Sequence, residues 1–442
     1  MAIDMNMFHQ FMGQIAQLDS MAQPTDFPDD ERIKRAKDVF REKIEAEQAG
    51  DLEACVHCGL CAEACHFSAT TGNPKYTPAK KFELIRRFYR REVGPFKWLY
   101  KLFIKDITVQ DLENWQELVF DSCTTCGRCS MICPMGINIS ELVTITRAGL
   151  ANAGLIPAGL RAVQQEQEGY GTVFGGGPDQ LRLAIAKIAE EGVEIPLDKD
   201  KADYLVITSV VDILLFTDQL MGTAKIFNKL GLNWTVRSCG FEGANFGMLA
   251  GVGSTEKKAA MKIIDEAIAI GAKAIIVPEC GHAYPELRWK SANHLGKPLP
   301  FDVLTISELV DLQLQKGALK LKTNSSLNIT YHDPCKVGRY SGVIDEPRRV
   351  FKALGGTFSE TPSHGKMNWC CGGGAGVFVI NSAAELRKAA FSKKIEEVDS
   401  TPADTVVMAC GSCRLNFIKG AEDANWDKNI VSLVALVSEN LE

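Results

Sequence analysis

The sequence predicts a chain of α + α/β class: a helical first part carrying two tight cysteine groups, then two consecutive α/β halves on parallel strands. Three observations carry this. Up to about residue 200 the apolar residues recur at helical spacing, interrupted by short loops rich in cysteine and glycine. Beyond that point β-branched runs alternate with amphipathic stretches such as TEKKAAMKIIDEAIAIG, the pattern of a Rossmann-like parallel sheet with helical crossovers. Within this second part the pattern occurs twice. LVITSVVDILLF parallels ITYHDPCKVGRY, RSCGFEGANFG parallels NWCCGGGAGVF, and IIVPECGHAY parallels VVMACGSCRL.

Residues 1–50 read as a polar helical extension, with RIKRAKDVFREKIEAEQAG expected to stop at Gly50. The apolar spacing of MNMFHQFMGQIAQL predicts a helix packed on the first domain; docking on a partner subunit is the other reading. PAKKFELIRRFYRREVGPFKWLYKLFIKDI is mostly helical, and its aromatic, basic FKWLYKLFIK run is read as helical core, with a partner-facing or interfacial role as the alternative. ELVTITRAGLANAGLIP continues as helix to Pro157. The glycine-rich stretch Gly169 to Gln180 marks a loop between domains; no strand leads into it and no GxGxxG or GK[ST] pattern is present, so it is not expected to bind phosphate. Strands are predicted in DYLVITS, NWTVRS, KAIIVPE, FDVLTI, LNITYHD and DTVVMAC. The resulting division is 1–50, 51–157, 158–322 and 323–442.

The composition, 46% hydrophobic and 24% charged over 442 residues, is that of a soluble globular protein of two to four domains. A net charge of −6 gives no support to nucleic-acid binding. No apolar run approaches the roughly 20 residues of a membrane span. The opening MAIDMNMFHQF lacks a basic stretch followed by an apolar core, so no secretory signal is expected. The expected location is cytoplasmic, or peripheral on the inner face of the membrane through a partner. Fifteen cysteines in tight clusters point to metal in a reducing compartment rather than to a disulfide scaffold, which is usually far shorter.

Two of those clusters share one spacing. CVHCGLCAEAC holds Cys55, Cys58, Cys61 and Cys65; CTTCGRCSMICP, 57 residues further on, holds Cys123, Cys126, Cys129 and Cys133. C-x2-C-x2-C-x3-C, present twice, is the signature of a two-cluster ferredoxin, in which the fourth cysteine of each motif serves the other cluster. One [4Fe–4S] cubane is then expected on Cys55, Cys58, Cys61 and Cys133, the other on Cys123, Cys126, Cys129 and Cys65. Paired zinc sites would use CxxC units but leave the third and fourth cysteines of each motif unexplained. The long helical segment between the motifs points to an all-helical ferredoxin domain. Cys65 is followed by His66 where Cys133 is followed by Pro134, which alters a turn and removes no ligand.

A third, discontinuous group lies near the C-terminus: Cys335 in HDPC, Cys370 and Cys371 in NWCCGGGAG, Cys410 and Cys413 in ACGSC. The gaps are 34 residues from Cys335 to Cys370 and 38 from Cys371 to Cys410, and each of the three groups is placed where a loop would follow a strand. Five thiols exceed what a cubane needs and suit an opened cluster with one iron less tightly held. A dithiol redox site at Cys410 and Cys413 is the competing account, but leaves Cys335, Cys370 and Cys371 without a role. Gly372 to Gly374 read as a tight turn or as close backbone approach to a cluster. His332 is a candidate proton donor for thiol–disulfide chemistry, or a loop-satisfying residue; Lys336 and Arg339 favour the structural reading. The first half retains only Cys239 and Cys280, with 40 residues between them, and has Ser238 and Ala283 at the other matching positions. His282, beside Cys280, serves that half or is structural.

The doubled C-x2-C-x2-C-x3-C motif followed by the C…CCG…CxxC pattern resembles the catalytic iron–sulfur subunits of heterodisulfide reductases, over about residues 50–440. ECGH (Glu279 to His282), EGANFG (Glu242 to Gly247) and HDPC (His332 to Cys335) are most similar to the K-type subunit of the sulfite-reductase-associated membrane complex and to soluble sulfur-oxidising relatives. The resemblance implies two CCG repeats, the first degenerate, and a noncubane [4Fe–4S] cluster on Cys335, Cys370, Cys371, Cys410 and Cys413 at which a disulfide or trisulfide is cleaved in one-electron steps. It implies partner subunits of a redox complex, either a membrane cytochrome b-type or a flavin subunit. The incomplete first repeat favours a small sulfur-carrier protein with C-terminal cysteines over a coenzyme heterodisulfide as substrate. The chain is also similar to the electron-transfer subunits of glycolate, lactate or glycerol-3-phosphate dehydrogenase complexes, which touch no disulfide.

Overall fold

The computed structural model describes residues 4–442, so the first three residues of the N-terminal extension lie outside it. Helices fill the chain to Glu190, and among the described residues no strand precedes Tyr204.

The first helix, Met5–Met21, is capped by the Asp4 carboxylate, which accepts from the Asn6 and Met7 N–H groups, and it buries Phe8, Phe11, Ile15 and Leu18 along one face. That face does not rest on the cysteine-bearing helical domain, contrary to the sequence reading. It meets helix Ala158–Tyr170 and the turns near residue 380, with Phe11 edge-on to Phe174 and Asn381 donating to the Ala16 carbonyl and Asp19. The next helix, Asp29–Lys43, ends well before Gly50. Glu45 and Gln48 form a reciprocal capping box that starts a new helix, Ala46–Ala54, and Gly50 lies inside it where nothing crowds the backbone. Helix Ile139–Asn152 likewise stops short of Pro157, because Gly154 turns the chain in the left-handed region at φ 79°.

The largest departure is the FKWLYKLFIK run. It forms the helix Lys97–Phe103, but none of its residues is buried, so it is not core. A π-turn over Tyr89–Val93, followed by Gly94 and Pro95, carries the chain away from the domain after Tyr89, which is buried in its place. Apolar periodicity predicts a helix correctly here and says nothing of which body the apolar face meets.

The C-terminal part holds two four-stranded parallel sheets. The first comprises β1 (Tyr204–Val206), β2 (Trp234–Thr235), β3 (Ala274–Val277) and β4 (Asp302–Thr305) in the order β2-β1-β3-β4. The second comprises β5 (Asn328–His332), β6 (Thr357–Phe358), β7 (Thr405–Met408) and β8 (Asn429–Ser432) in the order β6-β5-β7-β8. Each predicted strand run contains one of these; β6 and β8 are additional, β6 being only two residues long. Both sheets have the same strand order, with the chain reversing direction across the sheet between the two central strands. In open parallel sheets the crevice at the carboxyl ends of those strands is where ligands bind. Buried contacts run continuously from Phe8 through the helical part to both sheets, so the two C-terminal edges are held rigidly against the helical domain.

Helix Ala158–Tyr170 meets the 377–379 turn so closely that a Cβ on Gly159 would collide with the Val379 carbonyl oxygen. Gly159→Ala in a helix would ordinarily gain up to about 1 kcal/mol. Here it is expected to lower the melting temperature, by several degrees, in thermal denaturation followed by circular dichroism.

Candidate functional site

The two motif loops share one backbone conformation. His57 and Thr125 have φ of 55° and 46°, Gly59 and Gly127 follow at 83° and 77°, and helices start at Leu60 and Arg128. Non-glycine residues in the left-handed region are costly and are kept where a loop must wrap a ligand. No described cysteine is in a disulfide. Burial pushes the Cys61 thiol up, reinforced by Cys55, Cys58 and Cys133. Burial likewise raises Cys65 against the pull of Lys81, and its nearby thiols are Cys123 and Cys126. Burial raises Cys129 strongly, with Cys126, Cys65 and Cys123 around it. The fourth cysteine of each motif therefore sits with the first three of the other.

The third group gathers at the carboxyl edge of the second sheet. Cys335 follows β5, and Cys410 follows β7 as the N-cap of helix Gly411–Ala424, whose first turn carries Cys413. Cys370 and Cys371 enter from the loop between β6 and β7, held by Asn416, which donates to the Cys371 carbonyl at 2.7 Å. Gly372 takes φ 99°, and a side chain on Gly373 would collide with Asn416, so these glycines make a tight turn. All five thiols are buried and pack with Phe391, Phe417, Val406 and Met408 into a small core of their own.

Within that core Cys370 packs beside Cys126, Cys335 and Cys371, and these neighbours together with burial push its thiol well up; Cys413 stands in the same relation to Cys371 and Cys410. Hydrogen bonds from Cys370 and Cys413 hold Cys371 well below the usual thiol range, with His332 adding to the effect. The third group thus forms a continuous chain of sulfurs, and Cys126 of the second motif touches it. Cys370 also lies 3.3 Å from the Thr124 hydroxyl. Cys58 of the first motif, by contrast, is exposed.

His332 is 1% exposed, and its imidazole falls with the Cys371 and Cys413 sulfurs in a group whose ligand atoms lie within 4.8 Å of one another. Burial lowers its pKa, so it is held neutral despite Cys371. Lys336 and Arg339 are structural, as expected: Lys336 donates to the Thr125 carbonyl at 2.8 Å and Arg339 to the Cys126 carbonyl at 2.6 Å, tying the Cys335 loop to the second motif.

Apart from Arg339, the sequence did not mark the cations that surround these thiols. Lys81, Arg128, Arg147, Arg339 and Lys394 are all buried, and among the described residues none makes an ion pair with a carboxylate. Arg147 donates instead to the carbonyls of Val119, Phe120, Cys123, Leu249 and Ala375. Lys81 lies 3.7 Å from the Cys65 sulfur, and the thiolates around it outweigh its burial and raise its pKa. Burial lowers Lys394 to about 8, against Glu397, Asp333, Cys371 and Cys370. Buried positive charge of this kind requires negative charge close by. Thiolate-ligated iron–sulfur clusters are anionic and supply it, so the donor set and its surroundings both fit clusters at these three groups. The one available signal was a charge on an apolar helix face, as Arg147 is in ELVTITRAGL.

The carboxyl edge of the first sheet faces that of the second. The Gly411 N–H donates to the Glu279 carbonyl at 2.6 Å, Ala375 N–H to His282 Nε2 at 3.2 Å, and Arg414 clasps Asp218 at 2.7 and 2.8 Å. His282 is therefore a neutral acceptor between the halves, lowered to about 3 chiefly by burial. Between the edges is a cavity lined by Asp212, Glu242, Glu279, Cys280, Gly374 and Ser412, with Phe11 and Phe246 among its apolar walls. Cys280 lies near Cys410, whereas Cys239 is exposed beside Arg237; the two cysteines of the first half do not share a site. Carboxyls occupy this edge in place of thiols. Burial raises Asp212 to about 7 and both Glu242 and Glu279 to about 8.

Residues 51–137 match the 4Fe-4S dicluster domain and residues 329–418 the cysteine-rich CCG domain. The chain is 27% identical over 420 residues to one of the subunits of the dihydromethanophenazine:CoB–CoM heterodisulfide reductase of Methanosarcina barkeri, covering 92% of this chain and 98% of that one. It is 27% identical over 406 residues to the Hdr-like menaquinol oxidoreductase iron–sulfur subunit of Archaeoglobus profundus, covering 79% and 72%. The glycolate oxidase iron–sulfur subunit of Escherichia coli is 24% identical over 391 residues, covering 82% and 89%. The chain thus carries a 4Fe-4S dicluster domain and a cysteine-rich CCG domain, and over most of its length it is similar to heterodisulfide reductase and Hdr-like iron–sulfur subunits. Among the described residues no helix is long and apolar enough to cross a membrane.

The raised carboxyls set a pH dependence. Glu242 and Glu279, raised from 4.5 to about 8, bind protons more tightly in the folded than in the unfolded chain. Their contribution to stability is full below the unfolded value and is lost as pH rises through about 8. Denaturation midpoints should fall between pH 5 and pH 8, by up to about 1.4 kcal/mol per pH unit per carboxyl, and Glu242→Gln with Glu279→Gln should flatten that slope.

Proposed function

We propose that this chain passes electrons one at a time between a partner redox subunit and a disulfide within a heterodisulfide reductase-like complex. In this reading Cys55, Cys58, Cys61 and Cys133 hold one cubane [4Fe–4S] cluster, and Cys123, Cys126, Cys129 and Cys65 hold a second. Cys335, Cys370, Cys371, Cys410 and Cys413 hold a noncubane [4Fe–4S] cluster. Bound there, the clusters supply one-electron transfer and, at the five-cysteine group, an iron able to meet a substrate sulfur. The observation that carries the reading is Cys370, in contact with Cys126 of the second motif on one side and with Cys335 and Cys371 on the other. A ligand of the second cubane then abuts the catalytic group, and the first cubane faces outward at the exposed Cys58.

The residues around the group have separable tasks. Lys336 and Arg339 fix the Cys335 loop to the second motif, so the two sites keep one spacing. The buried cations hold anionic charge out of water. Opening a disulfide takes two electrons and two protons and yields two thiols; His332, neutral beside Cys371 and Cys413, is placed to move one of those protons. The first half, proposed as a degenerate CCG repeat over 158–322, offers carboxyls and one cysteine at its edge and no ligand set for a second noncubane cluster. The complete repeat is 323–442, and the helical two-cluster domain 51–157. A single catalytic cluster favours a protein disulfide or trisulfide, such as a small sulfur carrier with C-terminal cysteines, in dissimilatory sulfur metabolism. The partner is a membrane cytochrome b-type or a flavin subunit, on the cytoplasmic side. The similarity to the glycolate oxidase subunit supports a second reading, in which the chain relays electrons from a flavin subunit and opens no disulfide.

Electron paramagnetic resonance separates these. Cys371→Ser is expected to remove a third signal that responds to added thiol or disulfide while leaving two cubane signals; a spectrum unchanged by the substitution contradicts the ligand set. Cys65→Ser should disturb the signal of the second motif and spare that of the first.

A further inference from the structure

The segment 96–105 carries five exposed large apolar side chains within eight residues. Phe96, Trp98, Leu102 and Phe103 are 58%, 68%, 73% and 77% exposed, and Leu99 is 38% exposed. The helix carrying them is rigidly rooted. Arg91 donates to the carbonyls of Lys101 and Ile104 at 3.1 and 2.8 Å, satisfying the end of the helix, and Lys101 pairs with Glu92 at 3.5 Å. The knob is therefore held out by the fold and is not a frayed end.

Its charge is as distinctive as its apolarity. Lys97, Lys101 and Lys105 alternate with the aromatic and leucine side chains, and no acidic residue occurs from Phe96 to Lys105, in a chain of net charge −6. A protruding set of tryptophan, phenylalanine and leucine flanked by lysines matches the headgroup boundary of a bilayer, which yields to a convex surface and attracts lysine through anionic lipid. A protein partner would have to offer a preformed pocket of opposite shape. We propose that Phe96–Lys105 is an in-plane anchor that seats this chain on an anionic membrane surface. The root of the helix joins the first motif: Arg90 pairs with Glu53 at 3.8 Å, and Arg86 donates to the Leu52 and Cys55 carbonyls at 3.0 Å. Anchoring thus places the first motif close to the membrane-bound segment. Membrane binding does not depend on the proposed disulfide chemistry; only the value of this placement for electron entry does.

Flotation of the iron-loaded full-length chain with protein-free vesicles tests it. Binding is expected to vesicles of phosphatidylglycerol mixed with phosphatidylcholine, and to be weaker with phosphatidylcholine alone. Leu102→Glu with Phe103→Glu should cut binding about tenfold or more at unchanged iron content, and Lys97→Glu with Lys105→Glu should remove the preference for anionic lipid. Should the first pair fail to fold, quenching of tryptophan fluorescence by acyl-brominated lipid, lost in Trp98→Phe, gives the same answer on an otherwise native chain. No binding to either vesicle, or binding unaffected by these substitutions, overturns the proposal. Attachment to native membranes but not to protein-free vesicles also overturns it, and assigns the patch to a protein partner.

Discussion

A buried cation must meet negative charge nearby, and this constraint organises the cysteine-bearing part of the structure. Among the described residues Lys81, Arg128, Arg147, Arg339 and Lys394 lie out of water in no ion pair with a carboxylate; they donate to backbone carbonyls and to the Asn368 side chain, with thiols close by. Leaving a buried ion uncompensated costs several kcal/mol. The arrangement is stable only if the thiols they surround carry charge, which is what cluster ligation imposes. The same cations are the mechanical ties. Arg147 alone joins the second motif to both α/β halves through Cys123, Leu249 and Ala375. Charge compensation and spacing between sites are thus served by the same side chains.

The two α/β halves use one topology for different ends. Both present the edge between their central strands to the same interior, one lined with thiols and the other with carboxyls that burial pushes up. His282 and Glu279 cross between them through hydrogen bonds to Ala375 and Gly411, the backbone beside the five cysteines. The first half acts as the wall of the cavity against which the five-cysteine edge is set.

Much of this was legible in the sequence. Cysteine spacing is read by covalent geometry: a loop with three thiols two residues apart can face only one centre. The strand runs were equally plain, since buried parallel strands are short, β-branched and flanked by turns. What could not be read was what depends on the third dimension. Arg147 in ELVTITRAGL and Lys394 in a lysine-rich helix resemble ordinary surface charges until the fold buries them. Glu242 and Glu279 stand where the second half has Gly374 and Ala409, a contrast visible in the repeat but silent about burial. The Lys97–Phe103 helix has the periodicity of a core helix, and periodicity does not say whether the apolar face meets protein or solvent. Gly50 likewise carries a stop signal that the capping box at Glu45 makes irrelevant.

The central claim is that thirteen of the fifteen cysteines hold three iron–sulfur clusters in series, with the middle one touching the five-cysteine site through Cys126 and Cys370. Iron anomalous diffraction from crystals of the anaerobically purified chain tests it most directly. The account predicts three separate iron clusters, the middle one ligated by Cys65 from the first motif and the last enclosed by Cys335, Cys370, Cys371, Cys410 and Cys413. Iron ligated within each motif by its own four cysteines, or an absence of iron between Cys335 and Cys413, would contradict it.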